Sequence, residues 1–88
     1  MIVQMNHDGL LNSLVEVFLK IKTKEEMSDF LNGILTQQEL IEIPTRLEIV
    51  KLLKEGVGQH AIAEKLGVGV ATVTRGSKEI QKGRFGNI

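Results

Sequence analysis

The run GQHAIAEKLGVGVATVTRGSKEI, residues 58–80, leaves this chain few ways to fold, because small, apolar and glycine positions fall along it in a fixed order. Gln59 to Leu66 reads as a short helix, with Ile62 and Leu66 one turn apart on one face and Ala63 beside them. Gly67 stands where that helix must end in a left-handed residue, a conformation glycine adopts without steric cost. Val68 then plugs the turn. A second helix from about Val70 places Val73, Ser77 and Ile80 inward. Two short helices that cross over a small residue and are joined by a tight glycine turn make a helix-turn-helix.

The opposite side of the second helix carries Ala71, Thr74, Arg75, Lys78 and, one turn on, Lys82. Short side chains near a helix start with cations farther along suit a helix whose first residues meet base edges while the cations meet phosphates. Thr74 can hydrogen-bond a base, and Ala71 can pack on a thymine methyl. The candidate contact set for double-stranded DNA is Gln59 and His60 on the first helix, with Val70, Ala71, Thr74, Arg75, Lys78 and Lys82 on the second. An ordinary solvated helix face is the plainer alternative. Charge distribution leans toward DNA: the chain is neutral overall, but residues 1–56 balance at −3 and residues 57–88 at +3.

The remainder reads as helix. Leu10, Leu11, Leu14, Val15, Phe18, Leu19 and Ile21 follow helical spacing in a stripe broader than a small monomer needs. Thr23 with Glu26, and Thr36 with Glu39, are capping boxes that open two further helices. The second of these spans about Gln37 to Glu55, with Leu40, Ile43, Leu47, Val50 and Leu53 inward and Gly56 at its end. Pro44 inside it predicts a kink or break, since proline lacks an amide hydrogen and crowds the carbonyl of Leu40. At 88 residues and 42% apolar, the chain is expected to be a single all-α domain. Residues 1–56 form core and dimerisation helices, 57–82 the helix-turn-helix, and 83–88 a loose tail. So much aliphatic surface implies a second copy, a homodimer, with a compact monomeric bundle as the alternative.

Absence of cysteine excludes disulfides and thiolate metal sites, and no metal site is expected. Residues 1–7 lack a signal-peptide pattern and no stretch is long enough to span a membrane, so a cytoplasmic, nucleoid-associated protein is expected. Only His7 and His60 offer imidazoles, and Gly67-Val68-Gly69 lacks both the rest of a phosphate-binding motif and a preceding strand, so no catalytic residue is assigned.

From Leu35 to Ile80 the chain resembles the tryptophan repressor family. The matching pieces are Leu35-Thr36 before an acidic residue, Thr45-Arg46-Leu47, Ile49-Val50, Leu52-Leu53, Gly56, Leu66-Gly67, Gly69 and the distinctive block Ala71-Thr72-Val73-Thr74-Arg75-Gly76-Ser77. The resemblance implies an intertwined helical homodimer that binds an operator when L-tryptophan, as corepressor, occupies a pocket beside the reading helices. It places ligand positions on Leu35, Thr36, Arg46, Thr72, Arg75, Gly76 and Glu79. Two guanidinium planes can sandwich an indole, and Arg75 can also hold a carboxylate. The chain departs from the pattern at His60 and Ala63, where the family carries an arginine and a lysine. It departs again at Glu79, where the family has a serine; that carboxylate either pairs with a ligand ammonium or repels a ligand carboxylate. Two other readings stay open: a regulator that binds DNA without an amino-acid ligand, and a helical protein-interaction module in which the basic strip is incidental.

Overall fold

The computed structural model describes residues 6–88; residues 1–5, most of the stretch read for a signal peptide, lie outside the described part. Five helices follow one another: α1 (His7–Lys20), α2 (Lys24–Ile34), α3 (Gln37–Lys54), α4 (Gln59–Leu66) and α5 (Val70–Gln81), with no strand among the described residues. They divide into two compact units, one ending at Thr36 and the other comprising Gln37–Ile88.

In the first unit, local chemistry starts both helices. The Asn6 side chain accepts a hydrogen bond from the Gly9 amide at 2.7 Å, and Thr23 Oγ1 accepts one from the Glu26 amide at 3.1 Å. Phe18 of α1 meets Phe30 of α2 edge to face, with ring centres 5.5 Å apart. Neither helix buries a residue fully, and Leu19 remains 77% exposed.

The second unit holds the core. Ile49 and Leu52 of α3, Ile62 and Ala63 of α4, and Val73 of α5 are buried together, with Leu53, Val57, Leu66 and Val68 packed around them. This corrects the face expected for α3: Val50 is buried, but Ile43 and Leu47 are each 42% exposed, and Ile49 and Leu52 do the inward packing. Apolar residues occur all round α3, so spacing alone does not select the packed side.

Pro44 does not break α3, which runs unbroken from Gln37 to Lys54. The one backbone bond that proline forfeits leaves the rest of the ladder in place, and Thr45 Oγ1 adds a bond to the Ile41 carbonyl at 2.7 Å beside the gap.

One closing device ends α3, α4 and α5 alike. Gly56, Gly67 and Gly83 all take positive φ, at 88°, 66° and 93°. The following amide of each (Val57, Val68, Arg84) reaches back to the carbonyl of Leu52, Ala63 and Glu79. Such glycine-centred endings satisfy carbonyls that a helix terminus leaves unpaired. At the first two, the valine after the glycine turns into the core.

The last six residues are not a loose tail. Lys54 Nζ donates to the carbonyls of Phe85 and Ile88, and the Arg84 guanidinium lies 3.5 Å from Glu79. A cation from α3 therefore clasps a short hook that the local sequence gives no reason to expect.

Candidate functional site

The helix-turn-helix presents one face built from both of its helices. On α5, Val70, Ala71, Arg75 and Lys78 are exposed, and Lys82 follows as its C-cap; on α4, His60 is exposed. Thr74 and Gln59, both assigned to base contact from sequence, are half-buried, and Thr74 Oγ1 donates to Gln59 Oε1 at 2.7 Å. That bond ties the start of α4 to the middle of α5 and fixes the two helices against each other. Lys82 Nζ lies 3.5 Å from Glu79, so this cation is partly compensated, whereas Lys78 forms no ion pair among the described residues.

Beneath that face, α3, α5 and the hook enclose a cleft of about 350 Å³. Five of the seven sequence-assigned ligand residues line it together: Arg46 from α3 with Thr72, Arg75, Gly76 and Glu79 from α5. Leu35 and Thr36 belong to the other unit, Leu35 as the C-cap of α2, so the cleft is described from the second unit alone. Ile43, Leu47, Ile49 and Val50 supply its apolar wall, and Arg84 and Phe85 of the hook complete the lining. The sequence does not point to these last two, because Lys54, which holds the hook, lies 31 and 34 positions from the carbonyls it bonds.

Gly76 sets how closely the walls approach. A Cβ built there would lie 3.2 Å from Ile49 Cγ2 and 3.5 Å from Leu53 Cδ1, so the missing side chain lets α5 lie directly on α3. Arg46 and Arg75 form no ion pair among the described residues, and Glu42, a candidate partner of Arg46, instead accepts from Gln38 Nε2 at 2.7 Å. The cleft thus pairs two uncommitted guanidiniums with aliphatic surface, a combination suited to an apolar body bearing an anionic group. Among the described residues no cluster of His, Cys, Asp and Glu is arranged to hold a metal ion, and no helix is long and apolar enough to cross a membrane.

An all-α chain with a helix-turn-helix over a ligand-sized cleft defines a class of small helical regulators. The sequence pattern of the Trp repressor protein family matches residues 9–86, and the chain belongs to that family. Its members are transcriptional repressors rather than enzymes. A Trp operon repressor homolog of Chlamydia caviae is 38% identical over 79 residues, covering 89% of this chain and 78% of that protein. A Trp operon repressor homolog of Xylella fastidiosa is 30% identical over 78 residues, covering 88% and 85%. The uncharacterized protein YerC of Bacillus subtilis is 34% identical over 68 residues, covering 77% and 62%. No solved structure matches the chain significantly.

Proposed function

We propose that this chain is a DNA-binding transcriptional repressor of the bacterial cytoplasm that acts as a homodimer and is switched by a small corepressor in the α3–α5 cleft, with L-tryptophan the first candidate. One observation carries the reading. Arg75 both lines the cleft and lies on α5, the helix whose exposed Val70, Ala71 and Lys78 form the candidate DNA face. A ligand touching α5 from below therefore acts on the element that would enter the major groove. Apolar surface left open on α3, at Ile41, Ile43 and Leu47, supports a second copy as partner.

The chain contains no tryptophan or tyrosine, so the fluorescence of added L-tryptophan reports its own binding without protein background. Titration with and without duplex DNA tests ligand and coupling together. Binding to random duplex DNA at low salt, weakening steeply as salt rises, is the expected first result. Absence of such binding, or indifference to salt, overturns the DNA reading. Arg75→Ala is expected to weaken ligand and DNA binding together, and unchanged values for both refute the assignment. Sedimentation should show a dimer; a clean monomer at micromolar concentration overturns that part.

A further inference from the structure

We propose that α5 reads duplex DNA by apolar contact with thymine 5-methyl groups through Val70 and Ala71, and that Thr74 is a positioning residue for Gln59 rather than a reader of bases. The proposal deepens the DNA reading of the helix-turn-helix and rests on it.

In such motifs the N-terminal residues of the second helix meet base edges, while the first helix crosses the phosphate backbone. Hydrogen-bonding capacity is scarce where the bases would lie. Val70 and Ala71, which open α5, are both exposed and carry no polar side-chain atom. Thr72 lines the cleft instead. One turn on, the single hydrogen that Thr74 Oγ1 can donate goes to Gln59 Oε1 at 2.7 Å, in a partly buried bond. What is left for a base edge is aliphatic, and the apolar mark that tells bases apart in the major groove is the 5-methyl of thymine. Arg75 and Lys78 are also exposed, but they stand farther along α5, where cations meet phosphates and add affinity without sequence.

The same bond has a second effect. It holds the carboxamide of Gln59, the first residue of α4, and leaves Nε2 as a donor with no protein partner among the described residues. At the start of the helix that crosses the backbone, such a donor suits a phosphate oxygen. Thr74 therefore acts on DNA through Gln59, and its loss should lower affinity for every sequence alike. Val70 and Ala71 should instead change which sequence is preferred.

Three labelled duplexes are the probes: alternating dA·dT, its deoxyuridine counterpart and alternating dG·dC. Binding to the full chain is read by anisotropy over a salt series. The first two duplexes differ only in the 5-methyl group. Loss of one covered methyl should weaken binding about fourfold, and loss of two about fifteenfold. Val70→Ser, with helical content intact, should bring the thymine-to-uracil ratio down toward one at an unchanged salt slope, and Val70→Ile should keep it. A difference in stiffness between the duplexes acts on every variant alike, so a change in that ratio belongs to the side chain. Thr74→Val should weaken all three duplexes severalfold and keep the ratio, while Thr74→Ser, which retains the hydroxyl, should restore affinity. Equal binding of the thymine and uracil duplexes, or a ratio that Val70→Ser does not move, overturns the methyl reading and leaves DNA binding standing. Collapse of the preference for dA·dT over dG·dC in Thr74→Val overturns the positioning role. Failure to bind any of the three overturns the DNA reading itself.

Discussion

Gly76 offers a sharp test of the packing that positions α5. In an open helical position, replacing glycine by alanine gains about 1 kcal/mol, because glycine loses more backbone freedom on folding. Here the new Cβ would stand 3.2 Å from Ile49 Cγ2, inside the 3.5–4.0 Å at which carbon atoms attract. Ile49 is only 1% exposed but also borders the cleft, so a shift of a few tenths of an ångström decides how much of the contact is relieved. Overpacking a filled core costs about 1–3 kcal/mol, so Gly76→Ala is expected to be neutral or to lose about 1–2 kcal/mol. Gly76→Val adds two further methyl groups toward the same surface and should cost roughly 3 kcal/mol or more, lowering Tm by roughly 12–24 °C in a chain this size. Urea and thermal unfolding of the two variants measure this directly. A double-mutant cycle locates the cause: in an Ile49→Ala background the clash is gone, and Gly76→Ala should become favourable, a coupling of about 1–3 kcal/mol. If Gly76→Ala stabilises the otherwise unchanged protein by the full ~1 kcal/mol and the cycle shows no coupling, α5 does not rest on Ile49 as described.

Gly67→Ala meets no neighbour within 4 Å, so its cost is purely conformational; at φ 66° it should destabilise by about 1–2 kcal/mol, measured by urea unfolding. Lys78→Ala and Lys82→Ala should each weaken DNA binding regardless of sequence and flatten the salt dependence by about one unit for each phosphate no longer neutralised, read from affinities over a salt series. The effect should be smaller for Lys82, whose charge Glu79 already offsets. Lys54→Met removes the donor that holds the carbonyls of Phe85 and Ile88 and should release the hook, seen as faster hydrogen exchange at the Arg84 amide with α3–α5 intact. Leu47→Glu, at an apolar position 42% exposed in the single chain, should shift sedimentation from dimer to monomer.

The helix-turn-helix was legible because its constraints are local. Gly67 and Val68 end α4 within two residues, and Ile62, Ala63 and Val73 are the core residues that helical spacing picks out. α3 was legible in extent but not in orientation. Ile43 and Leu47 fit an inward period as well as Ile49 and Leu52 do, and only the packing of α4 and α5 onto one side decides between them. The cleft was half legible: Arg46, Arg75 and Glu79 came from a family resemblance. Arg84 and Phe85 stayed hidden because Lys54, the residue that folds the hook back, lies 31 and 34 positions from the carbonyls it holds. No pattern confined to residues 83–88 contains that information.

If α5 carries both a ligand contact and a DNA contact, as proposed, the two binding equilibria must be linked. Val73 anchors α5 in the core, and Gly76 seats it on Ile49, so the helix has little freedom to slide. A molecule held by Arg46 and Arg75 would act on α5 directly, since the cleft lining and the exposed face share that helix. If the proposed switch operates, ligand raises DNA affinity by some factor, and DNA must raise ligand affinity by the same factor; couplings of this kind commonly amount to about 5–150-fold. Both sides are measurable on one sample: ligand fluorescence with and without duplex, then duplex anisotropy with and without ligand. Equal factors above one place the coupling in the binding equilibria. A factor of one on both sides, with ligand bound, leaves a DNA-binding protein whose cleft is occupied without consequence, and the repressor would then be constitutive.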